Sequence, residues 1–196
     1  PILGMNKNTR RILVIDGFAG PGKYQGGEEG SPLIALRALK EHTAKDRFHA
    51  EVVYLFIEKH PERAAHLRSL VDAWRKELPS QCRVHVIEGT FNETMSEALD
   101  HIDAQTQNLA PSFVMVDPFG VQETPMSVIE RILKNARSEV YISFMYESIN
   151  RFKVTPEFTP HLDDLFGCQT WREGLDIPNR VERKDFFYGL YESQLR

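Results

Sequence analysis

Five short apolar runs alternate along the chain with segments in which apolar residues recur every three or four positions. The runs are rich in Val, Ile, Tyr and Phe and nearly continuous in apolar character, which is typical of strands that are covered on both faces. The predicted strands span residues 11–16, 51–58, 83–88, 112–117 and 139–146.

The periodic segments between these runs predict helices. Ser31 is the predicted N-cap of the first, with Pro32 at the first helical position and an end near residue 45. The capping-box pattern Thr94-x-x-Glu97 predicts the start of another. Further helices are predicted over residues 62–78, 126–136, near 161–166 and from about residue 180. This alternation implies right-handed crossovers, so the predicted fold class is α/β, with helices on both faces of a mostly parallel sheet.

Length and composition favour a single domain. The chain has 196 residues, of which 41% are hydrophobic and 27% charged, enough to build one full core. We expect residues 1–151 to form that core and residues 152–196 to form a less regular, helical extension of the same domain. Because the chain opens on Pro1 and stops at Arg196 inside a predicted helix, we expect it to be part of a longer protein.

Charge and cysteine usage exclude several classes of protein. The net charge of −4 supplies no overall basic field for binding nucleic acid. Basic residues cluster locally at positions 10–11, 131–137, 151–153 and 180–184. We interpret these clusters as solvated surface. Cys82 and Cys168 lie far apart, which excludes a disulfide scaffold and a cysteine-based metal site. With no visible signal peptide or membrane-length apolar stretch, we predict a cytoplasmic protein without a membrane partner or a bound metal.

A glycine-rich segment, D-G-F-A-G-P-G-K-Y at residues 16–24, directly follows the first predicted strand. A hydrophobic strand that ends in an acid and runs into a glycine-rich turn is how α/β proteins build a nucleotide-binding crevice. Two patterns overlap in this segment. From Gly17 to Lys23 it is one residue short of a phosphate-binding loop, whereas from Asp16 to Gly22 it has the D-x-F-x-G-x-G form that binds S-adenosylmethionine (SAM).

The phosphate-binding alternative lacks two necessary parts. Tyr24 stands where a Ser or Thr must bind magnesium. A helix must also begin at once, so that phosphate lies at its N-terminus, but the glycine-rich segment 25–30 follows instead. Its two glutamates would repel phosphate. We therefore favour SAM.

SAM calls for carboxylates at two strand ends. Asp16 ends the first strand, where a negative charge suits the sulfonium and ammonium groups of the cofactor. Glu58 ends the second, in position to accept the ribose hydroxyls, and the adjoining Lys59 belongs to the same predicted site. The other predicted cofactor-binding residues of the first loop are Phe18, Ala19, Gly20, Gly22 and Tyr24.

The third strand is followed by Thr90 and Phe91, at the rim where the adenine is expected. Phe91 could pack on the adenine and Thr90 or Asn92 could hydrogen-bond it. An equally good interpretation is that the segment is only a loop that caps the next helix. Both stay open at the level of sequence.

The fourth strand ends in Asp117-Pro-Phe-Gly120, at the carboxyl edge beside the first strand, where a methyl acceptor is expected. In amine methyltransferases with Asp/Asn-Pro-Pro-Tyr/Phe at this place, the acidic or amide side chain and the following carbonyl accept hydrogen bonds from the amine. Asp117, Pro118 and Phe119 are therefore the predicted catalytic residues, although Phe119 replaces the second proline and Gly120 the aromatic residue. The alternative is a strand end followed by a turn.

Taken in order, four motifs resemble the three-Cys-motif partner protein family. They are residues 16–24 (D-G-F-A-G-P-G-K-Y), 30–35 (G-S-P-L-I-A), 56–58 (F-I-E) and 116–120 (V-D-P-F-G). The resemblance covers about residues 11–151. It implies a bacterial or phage protein with a Rossmann-like class I methyltransferase fold and SAM as cofactor. It also implies a partner, a radical-SAM-like protein with three cysteines.

The order of these motifs is more distantly similar to that of ribosomal-RNA adenine methyltransferases. This similarity implies that residues 30–32 shape the rim of the cofactor site, with Ser31 either capping its helix or touching SAM. Two functions are therefore expected as alternatives. One is a SAM-dependent methyltransferase that acts on an amine of nucleic acid or of a modified nucleotide, and the other is a partner module that keeps the fold without transferring methyl.

Overall fold

The structure, a computed structural model, describes residues 7–196. Its centre is a sheet of five parallel strands in the order β3-β2-β1-β4-β5. The strands are β1 (Arg11–Asp16), β2 (Glu51–Glu58), β3 (Cys82–Glu88), β4 (Ser112–Val116) and β5 (Ser138–Ile142). The prediction of an α/β fold with a parallel sheet is confirmed, and the strand order is that of a Rossmann-like sheet.

Seven α-helices surround this sheet within the described residues. They are α1 (Ser31–Glu41), α2 (Pro61–Trp74), α3 (Phe91–Ala104), α4 (Met126–Leu133), α5 (Tyr146–Phe152), α6 (Thr159–Phe166) and α7 (Arg180–Gln194). Short 3-10 segments lie at Lys45–Arg47, Pro156–Phe158 and Thr170–Asp176. None of the helices within residues 7–196 has both the length and the apolar character needed to cross a membrane.

The two faces of the sheet are covered by different helices. On β2, Tyr54 and Phe56 pack against Leu36 of α1 and Leu67 of α2. Ile57 belongs to a larger cluster on the opposite face, which contains residues of α3 to α7. Successive strand residues face opposite ways, which explains why each strand reads as a nearly continuous apolar run. The helices of residues 152–196 thus share a hydrophobic core with the central sheet.

The strand register brings the carboxyl ends together at one edge. Asp16, the last residue of β1, pairs with Phe56 of β2 and Met115 of β4. Glu58 pairs with Glu88 across β2 and β3. Because β1 lies between β2 and β4, the strand order reverses there, and this is where open α/β sheets bind ligands.

The fifth strand is shorter than predicted. It ends at Ile142 instead of residue 146, and α5 begins at Tyr146. The apolar run continues because its side chains contact another helix: the ring of Phe144 lies 4.8 Å from Tyr188 and 4.7 Å from Tyr191, both on α7. Local pattern could not separate this packing from strand packing.

Two predicted helix caps are also wrong. The N-cap of α1 is Gly30, and Ser31 is its first helical residue. The N-cap of α3 is Thr90, one turn before the predicted Thr94. Thr90 accepts the amide hydrogen of Glu93 at 3.2 Å and donates its hydroxyl to the Glu93 carboxylate at 2.7 Å, so the capping box begins at Thr90. The helices α1, α2 and α4 end three to four residues earlier than predicted, at Glu41, Trp74 and Leu133.

Candidate functional site

A cavity of about 270 Å³ opens at the carboxyl edge of the sheet. The segments that follow β1, β2, β3 and β4 line it, together with α5 and the 3-10 segment after α5. Of the residues predicted from sequence, those in its wall are Phe18, Glu58, Lys59, Thr90, Phe91 and Phe119. The predicted residues outside its lining are Asp16, Ala19, Gly20, Gly22, Tyr24, Ser31, Asp117 and Pro118.

The glycine-rich loop after β1 requires its glycines for two physical reasons. A Cβ on Gly17 would lie 2.5 Å from Cδ2 of Phe91, closer than atoms can approach. Gly20 and Gly22 have φ angles of 64° and 76°, in the left-handed region that favours glycine. A Cβ on Gly22 would also lie 2.6 Å from Cδ1 of Leu67. The loop therefore packs tightly against α2 and α3.

Backbone hydrogen bonds fasten this loop to the neighbouring strands. Gly17 donates its amide to the carbonyl of Met115, and Ala19 donates to the carbonyl of Ile57, both at 2.9 Å. These bonds tie the loop to β4 on one side and β2 on the other. Ala19 itself is buried and serves this structure, whereas the half-buried Phe18 reaches the cavity.

The chain after Lys23 folds back on itself and does not enter a helix. Tyr24 donates its amide to the carbonyl of Glu28 at 2.9 Å, and Gly30 donates to the carbonyl of Gly22 at 2.8 Å. Helix α1 begins only at Ser31. The helix N-terminus that a phosphate-binding loop requires directly after its lysine is therefore missing, as the sequence predicts. Tyr24 is exposed at this turn.

Asp16 is a buried carboxylate that holds the loop and α1 together. It is only 4% exposed. Its Oδ1 accepts the amide hydrogen of Phe18 at 3.1 Å, and its Oδ2 accepts the hydroxyl hydrogen of Ser31 at 2.6 Å. Burial raises the pKa of Asp16, these two hydrogen bonds lower it, and the nearby charges of Asp117 and Glu58 raise it further. Ser31 thus touches Asp16, which explains why its hydroxyl does not cap the helix.

We expect Asp16→Asn to leave the fold intact and to flatten its pH dependence. Asparagine can accept from the Phe18 amide and donate to the Ser31 hydroxyl, so both contacts survive without the buried charge. The pKa of Asp16 in the folded wild type lies above 3.8, its value in the unfolded chain. Between these two pKa values the folded protein still holds the proton that the unfolded chain has lost. This carboxyl therefore makes the protein less stable as pH rises through that window. The stability of the variant relative to wild type should therefore increase as pH rises through that window.

Urea unfolding at a series of pH values from about 4 to 7 measures this gain. Asp185→Asn is the matched control, because Asp185 is exposed on α7 and forms no ion pair within residues 7–196. A constant difference in unfolding free energy between Asp16→Asn and wild type at every pH would contradict the assignment.

Glu58 places a second carboxylate directly in the cavity wall. It is 5% exposed, and its Oε1 accepts the amide hydrogen of His60 at 2.8 Å. Its backbone carbonyl accepts the amide of Gly89 at 3.1 Å, which fixes the strand end against the segment after β3. The adjoining Lys59 forms an ion pair of 2.8 Å with Glu123, so two loops are joined at the mouth of the cavity.

The residues after β3 shape the cavity but offer little accessible surface to a ligand. Phe91 is 1% exposed, and its ring packs against Gly17 and lies 5.9 Å from the ring of Phe18. The hydroxyl of Thr90 is engaged in capping α3. The capping role left open by the sequence is therefore present, and Phe18 offers the more accessible ring.

The segment after β4 divides into exposed and buried residues. Asp117 is exposed, Pro118 is buried, and Phe119 is 79% exposed on the cavity rim. Two residues missed by sequence reasoning, Phe152 and Phe158, complete this side of the cavity. Their rings are stacked, with centroids 4.2 Å apart and planes 5° from parallel. The sequence carried little signal for them, because no helix was predicted between residues 147 and 158, where α5 and the following 3-10 segment lie.

The described part of the chain contains no group of three or more His, Cys, Asp or Glu side chains that could hold a metal ion.

No family model matches the chain. No curated protein matches it either. Among solved structures it is similar to a conserved hypothetical protein from Streptococcus pyogenes, with 17% identity and a TM-score of 0.36. That match covers 67% of this chain and 63% of the other, and a similarity this weak says nothing about function.

Proposed function

We propose that this protein is a SAM-dependent methyltransferase that acts on an amine of nucleic acid or of a modified nucleotide. The observation that carries the proposal is Glu58, a buried carboxylate in the wall of a cavity beside a glycine-rich loop, at the reversal point of the sheet. A carboxylate in this place accepts both hydroxyls of a ribose. Phe18 supplies an apolar surface next to it.

The charge around the loop favours a cationic cofactor over a phosphorylated one. Asp16, Glu58 and Asp117 are close enough for the latter two to influence the titration of the first. Three carboxylates together repel phosphate and attract a sulfonium or ammonium group. This field and the missing helix after Lys23 both support SAM over a nucleoside triphosphate.

Few catalytic groups are needed for such a reaction. Bound SAM supplies an electrophilic methyl group, and transfer depends mainly on holding the amine in line with it. The exposed carboxylate of Asp117 can accept a hydrogen bond from the amine and so orient its lone pair. Phe119, on the cavity rim, can hold a planar base by stacking. The proton released by the amine passes to solvent or to Asp117.

Isothermal titration with SAM and with S-adenosylhomocysteine tests the proposal directly. We expect both to bind at one site per chain. Incubation with SAM labelled in the methyl group should then transfer label to DNA or RNA. Absence of heat with either ligand would contradict the cofactor assignment, independently of the acceptor.

One observation favours a second function, a SAM-binding partner module without transferase activity. Asp117 and Pro118 do not line the cavity, and Pro118 is buried, so the clamp typical of amine methyltransferases is incomplete. Co-purification with a radical-SAM-like protein that has three cysteines, the partner implied by the sequence resemblance, distinguishes the two functions. A stoichiometric complex that binds SAM but transfers no label would favour the module.

A further inference from the structure

Two cationic side chains from different helices meet on one neutral acceptor. Lys153, at the end of α5, donates to Oδ1 of Asn150 at 3.1 Å. Arg183, on α7, donates from Nε to the same oxygen at 3.0 Å. The two positive charges are therefore close neighbours, although 30 positions separate them in the chain. Like charges this close repel each other unless an anion balances them.

No carboxylate of residues 7–196 balances this pair by forming an ion pair with either cation. Their other partners are backbone carbonyls: Lys153 donates to Asn150 at 2.7 Å, and Arg183 donates to Ile177 at 2.5 Å. The neighbouring acid Glu147 is paired with Arg180 instead. Burial lowers the pKa of Lys153, and the charge of Arg183 lowers it further. The negative charge of a bound anion would offset both effects.

Two more cations adjoin this pair in the chain, Arg151 on α5 and Lys184 on α7, and we call the four side chains together the basic strip. Arg151 lies over the ring of Phe152, 5.1 Å from its centroid. Lys184 lies over Tyr146 and Tyr188, at 5.9 and 5.5 Å. Aromatic contact holds these side chains in place without neutralising them, so their charge remains available at the surface.

The strip adjoins the cavity. Phe152, directly before Lys153, is part of the cavity wall and stacks on Phe158. Because Phe158 and Arg151 already pack on Phe152, the free aromatic surface on this rim is Phe119, which makes no ring contact with another aromatic residue of the described chain. Because Phe119 and Phe152 line the same cavity, a planar base on Phe119 would share that cavity with the residue that directly precedes Lys153.

We propose that Lys153 and Arg183 bind a phosphate group of the methyl acceptor, flanked by Arg151 and Lys184. This inference rests on the proposed function for the identity of the ligand as an acceptor. Arginine and lysine together suit a phosphate, since the guanidinium donates two parallel hydrogen bonds and the ammonium adds a point charge. The phosphate belongs either to a single-stranded nucleic acid or to a free nucleotide.

The test compares K153Q/R183Q with K134Q/R137Q, which removes the same two charges. Lys134 and Arg137 are exposed beyond α4 and form no ion pair within the described residues. Binding of a fluorescent single-stranded oligonucleotide is followed by anisotropy from about 50 to 200 mM salt. We expect K153Q/R183Q to weaken binding by tenfold or more, roughly what loss of a charged hydrogen bond costs. The slope of log affinity against log salt should become shallower by about 1.4, or 0.7 per lost contact. The control should change neither.

Adenosine monophosphate, titrated calorimetrically, identifies the source of the phosphate. If the oligonucleotide binds more tightly than adenosine monophosphate and its binding depends on salt, the phosphate belongs to a single-stranded nucleic acid. If adenosine monophosphate binds to the wild type and not to K153Q/R183Q, the phosphate belongs to a free nucleotide. Because Lys153 and Arg183 also bind carbonyls, R151Q/K184Q provides a second variant that touches no carbonyl and should weaken the same probe. Equal responses of K153Q/R183Q and the control to both probes would overturn the proposal. SAM titration of each variant keeps this outcome separate from failure of the cofactor assignment.

Discussion

Replacing Glu58 by glutamine is expected to weaken SAM binding by about 2–3 kcal/mol, on the order of 100-fold in dissociation constant. A carboxylate accepts hydrogen bonds from both ribose hydroxyls, and bonds to a charged group contribute about 1.5–3 kcal/mol each. In the variant, the side-chain carbonyl keeps the His60 amide satisfied. Its NH₂ group then faces the cavity, where an acceptor is needed.

Titration calorimetry of the purified variant measures this loss, and urea unfolding shows whether the fold is retained. Glu51→Gln is the matched control, since Glu51 begins the same strand and lies at the opposite edge of the sheet. It forms ion pairs with Arg11 and Arg83 at the surface, whose loss costs at most about 1 kcal/mol of stability. Unchanged SAM affinity in Glu58→Gln would remove the main support for the proposed function.

The sequence predicts Glu58 and the glycine-rich loop well because their signals are local. An acid at the end of an apolar run, and glycines directly after such a run, determine backbone conformation within a few residues. Parallel pairing then carries these strand ends to one edge, whatever the rest of the chain does. For the same reason four of the five strands have bounds within one residue of those predicted.

The N-cap of α3 was harder to predict, because two capping-box patterns follow one another in the sequence. Thr90-x-x-Glu93 and Thr94-x-x-Glu97 both have the required spacing. Burial of Phe91 against Gly17 decides for the first, since that contact fixes where α3 begins. It involves a residue more than 70 positions away and cannot be read from local pattern.

The side of the cavity where we propose the methyl acceptor depends on tertiary structure that the local pattern does not show. Phe152 and Phe158 are close in the chain, but their stacking depends on where β5 ends and on α5 and the 3-10 segment that follow it, which the local pattern did not predict. Lys153 and Arg183 look like separate surface charges in the sequence, and Asn150 brings them together. Sequence analysis therefore predicts the loop and strand end proposed to hold the cofactor, whereas the surface proposed for the acceptor needs the tertiary structure.

Replacing Gly22 by alanine is expected to destabilise the protein by about 3–4 kcal/mol. The φ angle of 76° costs a residue with a Cβ about 1–2 kcal/mol. The new methyl group would also lie 2.6 Å from Cδ1 of Leu67, which is fully buried on α2 and has little room to move. Forcing an extra carbon into a packed core costs about 1–3 kcal/mol more. For a domain whose total stability is about 5–15 kcal/mol, this is a large fraction.

Gly27→Ala separates the two contributions. Gly27 has a φ angle of 93°, but a Cβ there would meet nothing within 4 Å, so only the conformational cost applies. Chemical unfolding should therefore show Gly22→Ala to be less stable than Gly27→Ala by the packing contribution. We also expect Gly22→Ala to bind SAM more weakly, because relieving the contact with Leu67 displaces the loop that Ala19 fastens to β2. Equal stability of the two variants would show that the Leu67 side chain can move aside at no cost. Only the backbone conformation would then require glycine at position 22.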